Sequence, residues 1–199
     1  SKKISDLMES IKRDYPFEEF KEIIQDITKS IQRIHNIFVN LKKFSSFNAA
    51  EYKETNLNEG IESTIGVLKS RTPSEIIIHR DYGEIPMTYS YSGHLNDMFF
   101  NILNNSIESI VGEGNIWITT RKAEDSIELI FSDDGKGIPE DILNNLFDPF
   151  FSTKDPGKGY GLGLSVAFSI INKHEGSIKI SNREEGGALI EILLPVKKM

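Results

Sequence analysis

Cysteine is absent from this chain. That excludes disulfides and thiolate metal sites and fits a reducing compartment. No apolar run approaches the roughly 20 residues that a membrane-spanning helix needs. The opening Ser1-Lys2-Lys3-Ile4-Ser5-Asp6 has no signal-peptide core. A starting methionine is missing too, so the chain reads as a piece of something longer, expected in the cytoplasm even where that longer protein is membrane-attached. Positive charge is short: 23 Lys and Arg against 30 Asp and Glu give a net charge of -7. That balance argues against a nucleic-acid partner, and no membrane contact is expected. What is present is ordinary for a globular protein: 199 residues, 38% hydrophobic and 27% charged, enough for one or two domains.

The first part reads as helical. Phe20, Ile24, Ile27, Ile31, Ile34, Phe38 and Leu41 recur in alternating steps of four and three. This is a heptad seam, and Ile23 and Ile37 widen it toward a bundle of more than two helices. Ile4, Leu7, Met8 and Ile11 resemble the last turns of a preceding helix, with a turn at Arg13-Asp14-Tyr15-Pro16. The alternative is two amphipathic helices that pack on their own chain. Periodicity falters at Ser45 to Glu51, which divides the chain into residues 1–49 and 50–199.

Beyond that point helices and strands alternate. Leu57 to Leu68, Leu95 to Val111 and Leu162 to Lys173 read as helices. Ile76 to Ile78, Met87 to Tyr89, Ile116 to Thr120, Ile127 to Ser132, Ser177 to Ser181 and Ala188 to Leu194 read as strands. Short turns at Glu124-Asp125 and Glu184 to Gly187 make two of the pairs antiparallel hairpins. The expected class is α+β, a two-layer sandwich of a mixed sheet with helices on one face.

Three segments carry chemistry. Asn101, Asn105 and Glu108 share one helix face by their spacing. A carboxamide oxygen there suits Mg²⁺, a hard cation that keeps water and substrate phosphates as its other ligands. Asp133-Asp134-Gly135-Lys136-Gly137-Ile138-Pro139 directly follows a strand. It puts a carboxylate, an acceptor for an exocyclic amine, beside glycines that leave room for a flat ring. The third segment runs from Leu146-Phe147-Asp148-Pro149-Phe150-Phe151 through Lys154 to Leu164; its last eleven residues hold four glycines and two lysines. Lys154 and Lys158 are flexible point charges for phosphate oxygens. The glycines suit a flap that leads into a helix start with unpaired N–H groups. Each segment alone also fits a plainer alternative: solvent-facing asparagines, an Asp-Gly turn, and a surface loop with solvated lysines.

Taken in order, the three segments resemble the N box, the G1 box, and the F box with G2 box of sensor histidine kinase catalytic domains, within the GHKL ATPase superfamily. The resemblance covers residues 50–199. It implies a Bergerat-type ATP pocket. By matching position, it implies that Asn101 and Asn105 reach the phosphates and Mg²⁺, Asn105 as the metal ligand, with Glu108 facing the site. It implies that Asp133 binds the adenine amine, with Gly135, Gly137 and Ile138 along the base. Phe150, Lys154 and Lys158 fall in the F box and lid. Gly159, Gly161 and Gly163 let the lid fold over the phosphates, and Leu162 and Leu164 tether its far end. The first part resembles the family's dimerisation and phosphotransfer hairpin, two copies of which form a four-helix bundle. The implied partners are a second copy of the chain and a response-regulator receiver domain.

The pattern departs from the family at the phosphoacceptor. No His followed by an acid and then Pro occurs among His35, His79, His94 and His174. The implied kinase core therefore cannot phosphorylate itself on the usual residue within this sequence. A regulatory or phosphatase module without kinase activity is the alternative. Milder departures are Tyr160 and Ala188, at positions where the family often has Thr. An ATP-driven clamp is disfavoured by Asn101, where hydrolytic relatives carry Glu to activate water. An amide is no general base, so hydrolysis is expected to be slow and phosphoryl transfer to a protein side chain favoured.

Overall fold

The computed structural model describes residues 20–28, 30–31, 51–154 and 161–198. His35, the seam beyond Ile31 and the expected boundary at residues 49–50 lie outside them, as do Lys158, Gly159 and Tyr160. Residues 20–28 and 30–31 are helical, and Phe20, Ile23, Ile24, Ile27 and Ile31 are all exposed along them.

From residue 51 the elements run β1 (Tyr52–Thr55), α1 (Leu57–Leu68), β2 (Ile76–Tyr82), β3 (Thr88–Tyr91), α2 (Ser92–Ser109), β4 (Gly114–Ala123) and β5 (Ser126–Asp133). A 3₁₀ turn (Glu140–Asn145), α3 (Gly163–Lys173), β6 (Ser177–Asn182) and β7 (Ala188–Pro195) complete the order. The main sheet is β2-β4-β5-β7-β6. Only β2 and β4 pair in parallel; the other three pairings are antiparallel. The mixed sheet is thus as expected, but β7 sits between β5 and β6. β1 and β3 form a separate antiparallel pair.

Local chemistry explains the elements. Asn56 caps α1: its side-chain oxygen accepts from the Asn58 and Glu59 N–H groups, while its amide donates to the Glu59 carboxylate. That reciprocal pairing satisfies donors a helix start leaves unpaired. Leu57, Ile61, Ile65 and Leu68 then fall on one buried stripe. On α2, Leu95, Met98, Phe99, Ile102 and Leu103 do the same. Strand alternation supplies the opposing face: Ile116 and Ile118 from β4, Ile127, Leu129 and Phe131 from β5, Ile190 and Ile192 from β7. Phe99 and Phe131 meet across the layers with ring centroids 6.1 Å apart. Burying each such side chain contributes about 1.5–3 kcal/mol.

The β5 alternation has one more member. After Ile127, Leu129 and Phe131, the next inward residue is Asp133, also buried. The strand period therefore turns a carboxylate toward the core layer at the C-terminal end of the central strand.

Candidate functional site

A cavity of about 550 Å³ lies between α2, the end of β5, the segment after it and the start of α3. Asn101, Asn105 and Glu108, three positions of one helix face, all line it. So do Asp133, Gly137, Ile138, Lys154, Gly161, Leu162, Gly163 and Leu164. Gly135 and Phe150 are not on the wall. Gly135 packs behind Asp133 against Ser109, while Phe150 is 59% exposed and its neighbour Phe151 takes the wall position.

One end of the cavity is built by the sheet. Asp133 is 3% exposed. Its Oδ1 accepts from the Gly135 N–H at 3.0 Å, the Ser109 hydroxyl at 3.0 Å and the Ala188 N–H at 3.3 Å. Among the described residues, no donor reaches Oδ2. A buried carboxylate with one oxygen saturated and one bare is arranged to receive a donor from outside the chain. The residue's backbone is held as well. Arg183 Nη1 donates to the Asp133 carbonyl at 3.2 Å, with its guanidinium 4.3 Å over the Trp117 ring. Gly187, at φ 88°, brings the β6–β7 turn so close that a Cβ there would overlap that carbonyl. Only glycine fits such a position. The neighbouring wall is apolar: Ile138, Ile180, Ala188 and Ile190. Asn182 fixes Ile138 by a reciprocal pair of hydrogen bonds, each 2.7 Å, to its N–H and carbonyl.

The rest of the wall is built by the outer face of α2, the segment through Lys154 and the start of α3. Among the described residues, nothing engages the amides of Asn101 and Asn105. Gly163, the first residue of α3, sits beside Asn101, so the unpaired N–H groups of that helix start open on the cavity. The ammonium of Lys154 pairs with Glu108 Oε2, and Asn104 donates to Oε1 at 2.8 Å. Both partners are about a third exposed or more, so this pair is screened and exchangeable. The Phe150 N–H donates to the Gly161 carbonyl at 2.9 Å, which ties the segment together where it leaves and rejoins the domain. Phe150 has φ 69°, rare for a bulky side chain and worth about 1–3 kcal/mol of strain. Phe147 stacks on Phe168 of α3 at 4.7 Å and holds the same junction.

The two helices of the site are also joined far from it. His174, just past α3, is buried. Its Nδ1 lies 2.7 Å from the Ile170 carbonyl, so this nitrogen carries the proton and Nε2 accepts the Tyr91 N–H at 3.2 Å, at the start of α2. Burial, then the charges of Lys197 and Lys173, push the His174 imidazole below its usual value, against the Ile170 carbonyl, which raises it. His94 moves down with it, through burial, Lys173 and His174, against Asp97.

Several lining residues were not singled out by the sequence reading. Ser109, Asn104, Phe151, Ile180 and Ile190 reach the cavity, and Arg183 holds the far side of Asp133. For Asn104 and Ser109 the helical spacing from Asn101 and Asn105 was the available signal. For Arg183, Ile180 and Ile190 none existed, because β6 and β7 meet β5 only through the fold.

Among the described residues, no helix is long and apolar enough to cross a membrane. The family model described as histidine kinase-, DNA gyrase B-, and HSP90-like ATPase matches residues 91–198. Sporulation kinase E of Bacillus subtilis (strain 168) is 33% identical over 175 residues, which is 86% of this chain and 23% of that relative, so the chain spans less than a quarter of it. The solved catalytic domain of histidine kinase ThkA superposes with a TM-score of 0.68 at 28% identity, over 74% of this chain and 97% of that one. ThkA in complex with the response regulator protein TrrA superposes at 0.69 and 25% identity, over 98% of this chain and 57% of that one.

Proposed function

Because this chain belongs to the histidine kinase-, DNA gyrase B- and HSP90-like ATPase family, we propose that its cavity binds ATP with Mg²⁺ and that it is the catalytic core of a sensor histidine kinase. The observation that carries this reading is the Asp133 carboxylate, buried with one oxygen saturated and the other bare at the cavity wall. In the proposal Oδ2 accepts the exocyclic amine of adenine, and Gly137, Ile138, Ile180 and Ile190 flank the ring. A cavity of about 550 Å³ is in the range of nucleotide sites. Asn101 and the start of α3 would face the phosphates, Lys154 would move from Glu108 to a phosphate oxygen, and Lys158, Gly159, Gly161 and Gly163 would belong to the closing lid.

Asn105 fits Mg²⁺ as a single protein oxygen ligand, the remaining positions falling to water and phosphates. No group of three or more His, Asp or Glu among the described residues offers a metal cage, which agrees with a metal that arrives on its nucleotide. Bound there, Mg²⁺ would neutralise charge on the phosphates. The chain's own part is to hold the nucleotide and exclude water. With an amide at position 101, and the Glu108 carboxylate engaged by Lys154 and Asn104, slow hydrolysis is the expected behaviour.

The acceptor in this proposal is a histidine outside the present sequence. Its imidazole nitrogen attacks the γ-phosphorus, the bond to the β-phosphate oxygen breaks, and ADP leaves; the phosphoryl group then passes to a response-regulator aspartate. The exposed apolar stripe Phe20, Ile24, Ile27 and Ile31 supports pairing with a second copy through residues 1–49, with residues 50–199 as the ATP-binding part. Calorimetry with ATP and Mg²⁺ tests the reading. Micromolar binding that Asp133→Asn removes is expected; no heat of association overturns it. A labelled-ATP assay with a longer form of the chain separates the kinase from a phosphatase or scaffold.

A further inference from the structure

We infer that Ser109 is a positioning residue for base recognition: its hydroxyl holds the Asp133 carboxylate so that Oδ2, not Oδ1, is presented to an exocyclic amine. The inference rests on the ATP reading above and specifies how that site tells adenine from other bases. Three donors crowd Oδ1, and two of them, the N–H groups of Gly135 and Ala188, are backbone. Ser109 is the single side-chain donor among the described residues, and so the one that a substitution removes.

Its hydroxyl has one proton and two acceptors in reach, the Ser106 carbonyl at 2.8 Å and Asp133 Oδ1 at 3.0 Å. A charged acceptor binds a shared proton more strongly than a neutral carbonyl. Gly135 leaves the room that the Ser109 hydroxyl occupies, since a Cβ there would collide with it and displace it. The Ser109 carbonyl also accepts the Lys136 N–H at 3.2 Å, so the end of α2 grips the post-strand turn and the carboxylate together. Without the hydroxyl the carboxylate keeps only its two backbone anchors, at 3.0 and 3.3 Å, and gains freedom to rotate, which costs the directed bond to the base.

The test compares ATP with purine riboside triphosphate, which lacks the 6-amino group, by calorimetry with Mg²⁺ on the wild type, Ser109→Ala and Ser109→Thr. Ser109→Ala is expected to weaken ATP about tenfold, the loss of one hydrogen bond to a charged group. The amine-free nucleotide should change by less than about twofold, because it makes no bond to Oδ2. Ser109→Thr, which keeps the hydroxyl, should retain the wild-type preference and guards against a folding defect in the alanine variant. Equal weakening of both nucleotides by Ser109→Ala, or no change in either, overturns the role of Ser109 while leaving ATP binding in place. A wild type that binds neither nucleotide overturns the ATP reading and this inference with it.

Discussion

The two ends of the cavity are made by different means. At the Asp133 end a strand, a helix terminus and a hairpin turn converge, and the key side chain is 3% exposed. At the Lys154 end a half-exposed lysine and glutamate meet, and among the described residues the Phe150 N–H bonds the Gly161 carbonyl. The first end is fixed by hydrogen bonds within the chain, which in the proposed reading lets it select the base. The second holds charges that are cheap to rearrange, so it can respond to what the first end has accepted.

Breaking the rigid end should have the largest effect. Asp133→Asn is expected to weaken ATP about 100-fold while leaving the fold intact, because the amide oxygen still accepts at the Oδ1 position; calorimetry and a thermal melt check the two halves. Gly187→Ala attacks the same end through the backbone. It should lower stability by more than about 2 kcal/mol, since strain at φ 88° adds to a collision with the Asp133 carbonyl. Gly186→Ala, at φ 93° but with open space around it, should cost less in the same chemical denaturation series.

Changes at the exposed end should be milder and phosphate-dependent. Lys154→Met is expected to weaken ATP roughly five- to tenfold and leave AMP within about twofold. An equal loss for both nucleotides would mean that the lysine supports the site as a whole. Glu108→Gln should tighten ATP by about two- to threefold, because it frees Lys154 and removes a competing negative charge. A loss of affinity instead would place Glu108 among the ligands of the bound nucleotide.

The pH response probes the clasp between α2 and α3. The folded state holds His174 and His94 below their usual values, so the unfolded chain binds their protons first. Stability should be complete above about pH 6.5, the ordinary histidine value, and fall as pH drops toward the lower folded values. Protonating His174 Nε2 would set a donor against the Tyr91 N–H. Thermal melts from pH 7.5 to 5 should show this slope, and His174→Gln should flatten it. Carboxylates held low, such as Asp134, act only at more acid pH: burial pushes Asp134 up, but hydrogen bonds from Asn115 and the charge of Arg183 outweigh it.

Much of this was legible in the sequence because it is local. The alternation Ile127, Leu129, Phe131 runs straight into Asp133, and helical spacing puts Asn101, Asn105 and Glu108 on one face. β1 was not legible. Lys53 and Glu54 face solvent, and the strand exists through its pairing with Ser90 and Tyr89 far along the chain. The 3₁₀ turn at Glu140–Asn145 has no buried residue and so no periodic signature. α2 starts at Ser92, three residues before its first large apolar position Leu95, where the His174 clasp on Tyr91 sets the boundary. The Ala188 N–H reaches Asp133 only because β7 lies next to β5, an order that no local pattern encodes.

The single bond from the Phe150 N–H to the Gly161 carbonyl has an evolutionary corollary. It brings the two ends of the intervening segment together whatever lies between them. The entropic cost of closing a loop grows only logarithmically, about 0.6 kcal/mol for each doubling of its length. Changes of length between these two residues should therefore cost the domain little stability, while the positions within the stretch that line the cavity, Phe151 and Lys154, stay bound by the demands of the site.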